Sequence, residues 1–218
     1  MELNKYIEHT LLKQNATREE VKKLLDEARE HRFLGVCVNP CNVAFAHRYL
    51  NDTNADEIKV VTVIGFPLGQ STTETKILET IDAVKNGADE IDMVINGGKL
   101  KDKEYDYITD EIARIKSACQ NRNLKVILET DLLTQEEIKI ACELCIKGGA
   151  DFVKTSTGFV KNGVGAKAED VKLMYETVKD AGLQVKASGG IRDKEAALKM
   201  IEAGAVRLGT SSGVAICS

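Results

Sequence analysis

Two lysines occupy positions from which a neutral amine could act as a nucleophile. Lys154 lies in the segment DFVKTSTGF and Lys186 in LQVKASGGIR, each near the end of a short β-branched run. A lysine ordinarily has a pKa of about 10.4, so only about 0.04% of it is neutral at pH 7. Desolvation or a second nearby cation lowers that pKa. Because adjacent parallel strands lie about 4.8 Å apart, the two lysines could form such a pair. The alternative is that each reaches solvent or pairs with an acid.

An aspartate occupies the matching position of another segment. Asp92 in NGADEIDMV stands where Lys154 stands in GGADFVKTS. A carboxylate beside these lysines fits a proton-transfer role, and it fits equally a salt bridge that only compensates their charge. Lys125 and Glu129 of LKVILET add two charged groups, which we interpret first as a supporting network and second as catalysts.

Two segments rich in Gly and Ser follow the last two predicted strands. They are 188–191 (SGGI) and 210–213 (TSSG), and we predict that both open helices. Gly lets a ligand approach the backbone, and helix N-termini present unpaired N–H groups to anions. In α/β barrels the loops after strands seven and eight often bind phosphate. Together the two segments indicate a phosphate site, whereas each alone could be an ordinary turn.

Other chemistries lack their usual signatures. There is no GxxxxGK[ST], and no GxGxxG joins a strand to a helix, so nothing points to a nucleotide cofactor. The three histidines are scattered along the sequence, so we do not expect a zinc site. Cys142 and Cys145 form a CxxC pattern inside a predicted helix, where we expect small core residues rather than a redox pair. Cys37 ends a predicted strand and could line a pocket or pack in the core.

Short β-branched runs alternate with helical patterns along the whole chain. Three of the helical patterns begin with predicted capping boxes, at Thr17–Glu20, Ser71–Glu74 and Thr134–Glu137. Strand–helix alternation at this density predicts a parallel sheet, and eight units predict a closed (β/α)8 TIM barrel, with an open doubly wound sheet as the alternative. The predicted strands are 5–9, 33–38, 58–65, 89–95, 124–130, 151–156, 184–188 and 205–209.

Composition bounds the possible partners and location. The 218 residues carry a formal net charge of -4, which argues against a general nucleic-acid binder. No signal peptide pattern and no apolar run of about 18 residues is present, so we expect neither secretion nor a membrane span. The six cysteines are then expected to be free thiols in a reducing cytoplasm. The absence of any linker or change in composition predicts one domain, 1–218.

Seven segments, in order and spread over nearly the whole chain, resemble deoxyribose-phosphate aldolases. They are GVCVNP, GFPLG, EIDMVINGG, LKVILET, DFVKTSTGF, VKASGGIR and GTSSG. The resemblance implies a class I (Schiff-base) aldolase on a (β/α)8 barrel. Such an enzyme reversibly cleaves 2-deoxy-D-ribose 5-phosphate to D-glyceraldehyde 3-phosphate and acetaldehyde, with no metal and no organic cofactor. The implied partner is this small sugar phosphate, and a homodimer is possible.

The resemblance also implies a role for each matching residue. Lys154 would form the imine, Lys186 would perturb its pKa, and Asp92 would relay protons. The remaining matches are the phosphate-binding Gly189, Gly190, Ser211 and Ser212, the substrate-lining Lys125 and Thr157, and Cys37, a pocket cysteine linked to inactivation by aldehyde products. Glu8 replaces the usual Asp of the first strand, and Phe159 stands where some members carry Lys.

Two other functions remain compatible with the residues alone. A sugar-phosphate isomerase would keep the phosphate loops and use a carboxylate without an imine. A barrel that binds a phosphorylated metabolite without chemistry is disfavoured by the two lysines, because burying two cations is costly for binding alone.

Overall fold

The computed structural model describes residues 1–218, and its eight parallel strands close into a barrel in sequence order. This confirms the predicted (β/α)8 architecture and excludes the open sheet. All eight predicted strands are present. The strands are β1 (Ile7–Leu11), β2 (Gly35–Val38), β3 (Lys59–Ile64), β4 (Glu90–Val94), β5 (Asn123–Ile127), β6 (Phe152–Lys154), β7 (Gln184–Ser188) and β8 (Ala205–Thr210).

Nine helices accompany the strands, and none is long and apolar enough to cross a membrane. Most lie between consecutive strands, α4 and α5 share one connection, and α9 follows the last strand. The helices are α1 (Arg18–His31), α2 (Val43–Asp52), α3 (Thr73–Lys85), α4 (Gly97–Lys101), α5 (Tyr105–Ala118), α6 (Gln135–Gly148), α7 (Ala168–Val178), α8 (Lys194–Glu202) and α9 (Gly213–Cys217).

Two strands end earlier than their sequence pattern predicts. The β-branched run at β5 suggests extension to residue 130, but the strand stops at Ile127 because Glu129 adopts a left-handed backbone with φ +61°. The strand predicted for 151–156 stops at Lys154, and the following residues belong to the connection that leads to α7. The polar residues beyond both strand ends remain buried: Glu129 is 8% exposed and Thr155 is fully buried.

Side-chain caps begin most of the longer helices. The predicted capping boxes at Thr17–Glu20 and Thr134–Glu137 are confirmed. The box predicted at Ser71–Glu74 is wrong, because the cap of α3 is Thr72, whose hydroxyl accepts the Thr75 N–H at 3.3 Å. The displacement by one residue leaves Glu74 on the helix surface, where it pairs with Arg114. The helix predicted to open at 188–191 is also displaced, since α8 begins at Lys194 with Asp193 as its cap.

The outer faces of the strands and the inner faces of the helices form one apolar core. Cys142 and Cys145 lie in this core on α6, as expected from their positions on its apolar face. The barrel interior differs in character, because much of what projects into it is charged. The strand register places these charged residues side by side. Asp92 of β4 lies opposite Lys125 of β5, and Lys154 of β6 lies opposite Lys186 of β7.

Candidate active site

Lys154 lies at the last position of β6 and is 3% exposed. Its flanking residue Val153 faces the helices, so the strand alternation turns the Lys154 side chain inward. There the ammonium nitrogen Nζ donates to Oδ2 of Asp92 at 2.7 Å. The sequence-predicted lysine and carboxylate are therefore in direct contact.

Lys186 occupies the neighbouring position on β7 and is fully buried. Its Nζ donates to the same Asp92 Oδ2 at 2.7 Å and also to Glu8 of β1. One carboxylate oxygen of Asp92 thus bridges the two lysines that the sequence singled out. Glu8, the longer acid that replaces the usual Asp, binds Lys186 rather than Lys154.

Lys125 forms the next contact of the cluster and does not line the cavity described below, so its role in contacting substrate stays a prediction. It is fully buried on β5, and its Nζ donates to Asp92 Oδ1 at 3.0 Å. It also contacts Glu90 and lies 3.5 Å from Glu8. Its aminoalkyl chain is surrounded by partners within the barrel, so it acts on the site through Asp92.

The interior cluster holds one more cation than it holds carboxylates when Arg207, whose side chain is 22% exposed, is counted. The cations are Lys125, Lys154, Lys186 and Arg207, and the carboxylates are Glu8, Glu90 and Asp92. An uncompensated charge in a buried site is unfavourable. Loss of one proton from one lysine makes the cluster neutral, so burial favours one uncharged amine.

The surroundings of each lysine decide which one loses the proton. Burial lowers the pKa of Lys154 below its usual 10.5, and the charge of Lys186 lowers it further against the opposing pull of Asp92. Burial also acts on Lys186, but Asp92 and Glu8 outweigh it and raise the pKa of Lys186. Burial raises the pKa of Asp92, yet Lys125, Lys154 and Lys186 hold that pKa well below 3.8. Lys154 is therefore the amine that is most readily neutral.

A cavity of about 600 Å³ opens at the carboxyl ends of β1, β6, β7 and β8. Of the three clustered lysines, only Lys154 lines it, so its amine is the one that a ligand can reach. The predicted residues Thr157, Gly189, Gly190, Ser211 and Ser212 also line this cavity. Asp92 and Lys186 lie behind Lys154, one contact away from the cavity wall.

The glycines of the β7–α8 connection occupy positions that require the absence of a side chain. Gly189 and Gly190 have φ values of +85° and +76°. A Cβ atom on Gly190 would lie 2.4 Å from the carbonyl oxygen of Val164. The backbone therefore reaches the cavity rim in a conformation that side-chain-bearing residues rarely adopt. In the facing connection, the Ser212 N–H donates to the Thr210 hydroxyl at 2.9 Å and Ser212 precedes α9.

Two cationic residues at the rim were missed by the sequence analysis. Arg192 follows the SGGI segment directly, and Lys13 follows β1; both line the cavity. A cation next to a glycine-rich anion loop is a signal that could have identified Arg192. Lys13 has no comparable signal, because only closure of β1 against β8 brings it to the same rim.

Cys37 does not line the cavity, contrary to one of the two alternatives left open for it. It is fully buried inside the barrel on β2 and packs with Val61 and Val63. Burial raises the pKa of its thiol above 9.0. A protonated, buried thiol is a poor nucleophile in this state of the protein.

A closed barrel with a buried amine at the base of a cavity, and a rim of glycine, serine and cationic residues, defines a class. It is the class of barrel enzymes in which a lysine attacks a carbonyl substrate. The model of the DeoC/LacD family aldolases matches residues 3–218, and the chain belongs to this family of lyases.

Curated relatives are similar over their full lengths. The deoxyribose-phosphate aldolase of Enterococcus faecalis (strain ATCC 700802 / V583) is 56% identical over 100% of this chain and 97% of its own. The enzyme of that name from Finegoldia magna (strain ATCC 29328 / DSM 20472 / WAL 2508) is 55% identical over 99% of both chains.

Solved structures share the fold. The structure titled "QR15, an Aldolase" has a TM-score of 0.92 at 43% identity and covers 99% of this chain and 94% of its own. The deoxyribose phosphate aldolase of Aeropyrum pernix, described as a tetramer, has a TM-score of 0.87 at 32% identity, with coverages of 99% and 89%.

Proposed function

We propose that this protein reversibly cleaves 2-deoxy-D-ribose 5-phosphate to D-glyceraldehyde 3-phosphate and acetaldehyde through an imine on Lys154. The observation that carries the proposal is the position of Lys154. It is the one amine of the buried cluster that both lines the cavity and has a lowered pKa. The names of the full-length relatives supply the substrate class.

The first steps require a neutral amine beside an acid. Neutral Lys154 attacks the aldehyde carbon of the open-chain sugar, and the resulting carbinolamine takes up one proton and loses water to leave an iminium ion. The iminium accepts the electron pair of the bond between C3 and C4, so this bond breaks. D-Glyceraldehyde 3-phosphate leaves, and the enamine of acetaldehyde stays on Lys154. Protonation of the enamine carbon and hydrolysis then release acetaldehyde and restore the amine.

Asp92 is placed to move the protons of these steps. It touches Lys154 directly at 2.7 Å, and Lys186 supplies a second proton-bearing group on the same oxygen. We propose that Asp92 and Lys186, acting through a water molecule, take the proton from the C4 hydroxyl and return one to the enamine carbon. The lysines hold the pKa of Asp92 low in the resting site, so its carboxylate begins the cycle ionised and able to accept a proton, and its charge keeps Lys186 protonated.

The rim at β7 and β8 is the proposed phosphate site. The backbone of Gly189 and Gly190 and the hydroxyls of Ser211 and Ser212 line it, and Arg192 supplies a cation. Thr157 lines the wall between this rim and the β5 side of the barrel. Holding the phosphate at β7 and β8 directs the aldehyde end of the sugar toward Lys154 on β6.

Reduction of the imine tests the proposal directly. We expect borohydride in the presence of acetaldehyde to add a two-carbon adduct to Lys154, located by mass analysis of peptides. Protein treated with borohydride alone is the control. An adduct on another lysine, or none, rejects the imine mechanism.

A negative charge at Ser212 tests the phosphate site. We expect Ser212→Glu to raise the KM for 2-deoxyribose 5-phosphate by about 30-fold or more, because a carboxylate repels the phosphate at close range. Activity on unphosphorylated 2-deoxyribose should change by less than about threefold. The matched control is Ser117→Glu, which adds the same charge on the exposed side of α5. Equal losses on both substrates would remove the phosphate role from Ser212.

Three sequence predictions remain proposals. The core residues run from Leu3 to Ile216, which supports one domain over 1–218 and predicts a single calorimetric unfolding transition.

Leu78 and Ile81 of α3 are exposed apolar residues on one helix face, which supports self-association as a homodimer, measurable by light scattering. Location in the cytoplasm follows only from the sequence and is testable by cell fractionation.

A further inference from the structure

We propose that Glu129 is a positioning residue, which holds Thr157 at the wall of the Lys154 cavity from the neighbouring β5–α6 connection (residues 128–134). Thr157 belongs to the β6–α7 connection (residues 155–167), which begins directly after Lys154. The inference rests on the proposed function, because it assigns a role in binding the same substrate.

The backbone at Glu129 has an unusual conformation. Its φ and ψ are +61° and +63°, in the left-handed region that is unfavourable for residues with a Cβ atom. The residue ends the alternation of β5, which places Lys125 inward and Leu128 in the outer core, and its side chain turns toward Thr157 of the neighbouring connection. A glycine would adopt this conformation without strain. Because a glutamate occupies the position instead, we infer that its side chain has a function.

Both carboxylate oxygens of Glu129 accept hydrogen bonds from Thr157. Glu129 is 8% exposed, its Oε1 accepts the Thr157 N–H at 3.1 Å, and its Oε2 accepts the Thr157 hydroxyl. The Thr157 oxygen in turn accepts the Phe159 N–H at 3.0 Å. Both Thr157 and Phe159 line the Lys154 cavity. One carboxylate therefore sets the orientation of a threonine that faces the substrate.

A second carboxylate of the same connection extends the contact to the phosphate rim. Asp131 Oδ2 accepts the Gly165 N–H at 2.8 Å. Gly165 packs so closely on Gly189 that a Cβ atom would lie 2.5 Å from the Gly189 carbonyl carbon. The next residue, Ala166, donates its N–H to the Gly189 carbonyl at 3.0 Å. The β5–α6 connection thus contacts the β6–α7 connection twice, through Glu129 at Thr157 and through Asp131 at Gly165. The contact made by Glu129 is the one nearer to Lys154 in sequence.

The charges around Glu129 come from three elements. Asp131 lies on its own connection, and Lys154 faces it from β6. Lys101 of α4 lines, together with Glu129, a second cavity of about 590 Å³, and it pairs with Glu137 of α6. Burial raises the pKa of Glu129 above 4.5, and the Asp131 charge acts in the same direction against the hydrogen bonds from Thr157. Protonation in mild acid removes one of the two acceptors, so the hold on Thr157 weakens as the pH falls.

Comparing Glu129→Gln with the wild type tests the role. We expect the KM for 2-deoxyribose 5-phosphate to rise about tenfold and kcat to change less than about twofold, because a charged acceptor is lost without touching the amine. The ratio of wild-type to variant kcat/KM, measured from about pH 8 downward, should fall toward one in acid. Titration of the substrate occurs in both proteins and cancels in this ratio, and the pKa of Lys154 is read from each protein's own profile.

Two further variants separate positioning from folding. Glu129→Gly relieves the left-handed strain, so we expect it to fold with an unchanged Tm and to show the same rise in KM. Glu137→Gln removes a carboxylate that touches no residue of the Lys154 cavity wall, and its KM and pH ratio should match the wild type. An unchanged KM in both Glu129 variants, or a ratio independent of pH, would overturn the proposal. Borohydride trapping on Lys154 should persist in both Glu129 variants, because neither changes the amine. Absence of trapping in the wild type would contradict the proposed function and not the role of Glu129.

Discussion

Lys154→Met is expected to lower kcat for cleavage of 2-deoxyribose 5-phosphate by at least about 10⁴-fold and to abolish borohydride trapping. Methionine has nearly the length of lysine but no amine, so no imine can form. The neighbouring lysines cannot replace it, because Lys186 and Lys125 are fully buried and lie outside the cavity wall. Kinetics and mass analysis of the trapped protein measure both effects.

The same variant should fold well, which distinguishes loss of chemistry from loss of structure. Removing Lys154 leaves Lys125, Lys186 and Arg207 facing three carboxylates, so the interior charge is balanced. We therefore expect a Tm no lower than that of the wild type. Lys161→Met, in the same β6–α7 connection but exposed, is the matched control and should keep its activity within about twofold. A Lys154 variant that keeps a tenth of the wild-type kcat would contradict the mechanism.

Lys186→Met is expected to move the acid limb of the kcat/KM profile to higher pH by about two units. The charge of Lys186 lowers the pKa of Lys154, and Lys186 also occupies Asp92 and Glu8. Without it, both acids stabilise the protonated form of Lys154, so that pKa rises. Each unit of rise reduces the neutral fraction tenfold, which gives a loss of about 100-fold at pH 7. Activity should recover as the pH approaches the new value.

Lys186→Arg is the charge-conserving counterpart of that variant. It keeps a cation beside Lys154 and Asp92, so its acid limb should stay within about half a unit of the wild-type position. Any loss of activity should then be similar at every pH and reflect the altered proton transfer. A Lys186→Met profile that falls in height but does not shift would show that Lys186 does not set the pKa of Lys154.

The balance of charge inside the barrel explains why one lysine can be both buried and reactive. Neutral Lys154 leaves three cations and three carboxylates, and each partner lies on a different strand from the lysine. Burial is the main cause of the lowered pKa of Lys154, and the charge of Lys186 adds to it against the opposing effect of Asp92. Glu8 and Glu90, far apart in sequence, contact Lys186 and Lys125 rather than Lys154.

The sequence by itself determined the eight-strand alternation, singled out Lys154, Lys186 and Asp92, and identified the two glycine-rich connections near β7 and β8. These features are local, because strand period, helix caps and short motifs depend on neighbours in the chain. It could not determine that Lys125 lies behind Asp92, that Cys37 is buried in the interior, or that Lys13 lines the Lys154 cavity. Nor could it show that Glu129 turns sideways to hold Thr157. Those facts follow from the register between strands and from barrel closure, which join residues far apart in sequence, such as Lys186 and Glu8, 178 positions apart. Only the closed tertiary structure decides which charges share a buried space, and that space decides which amine loses its proton.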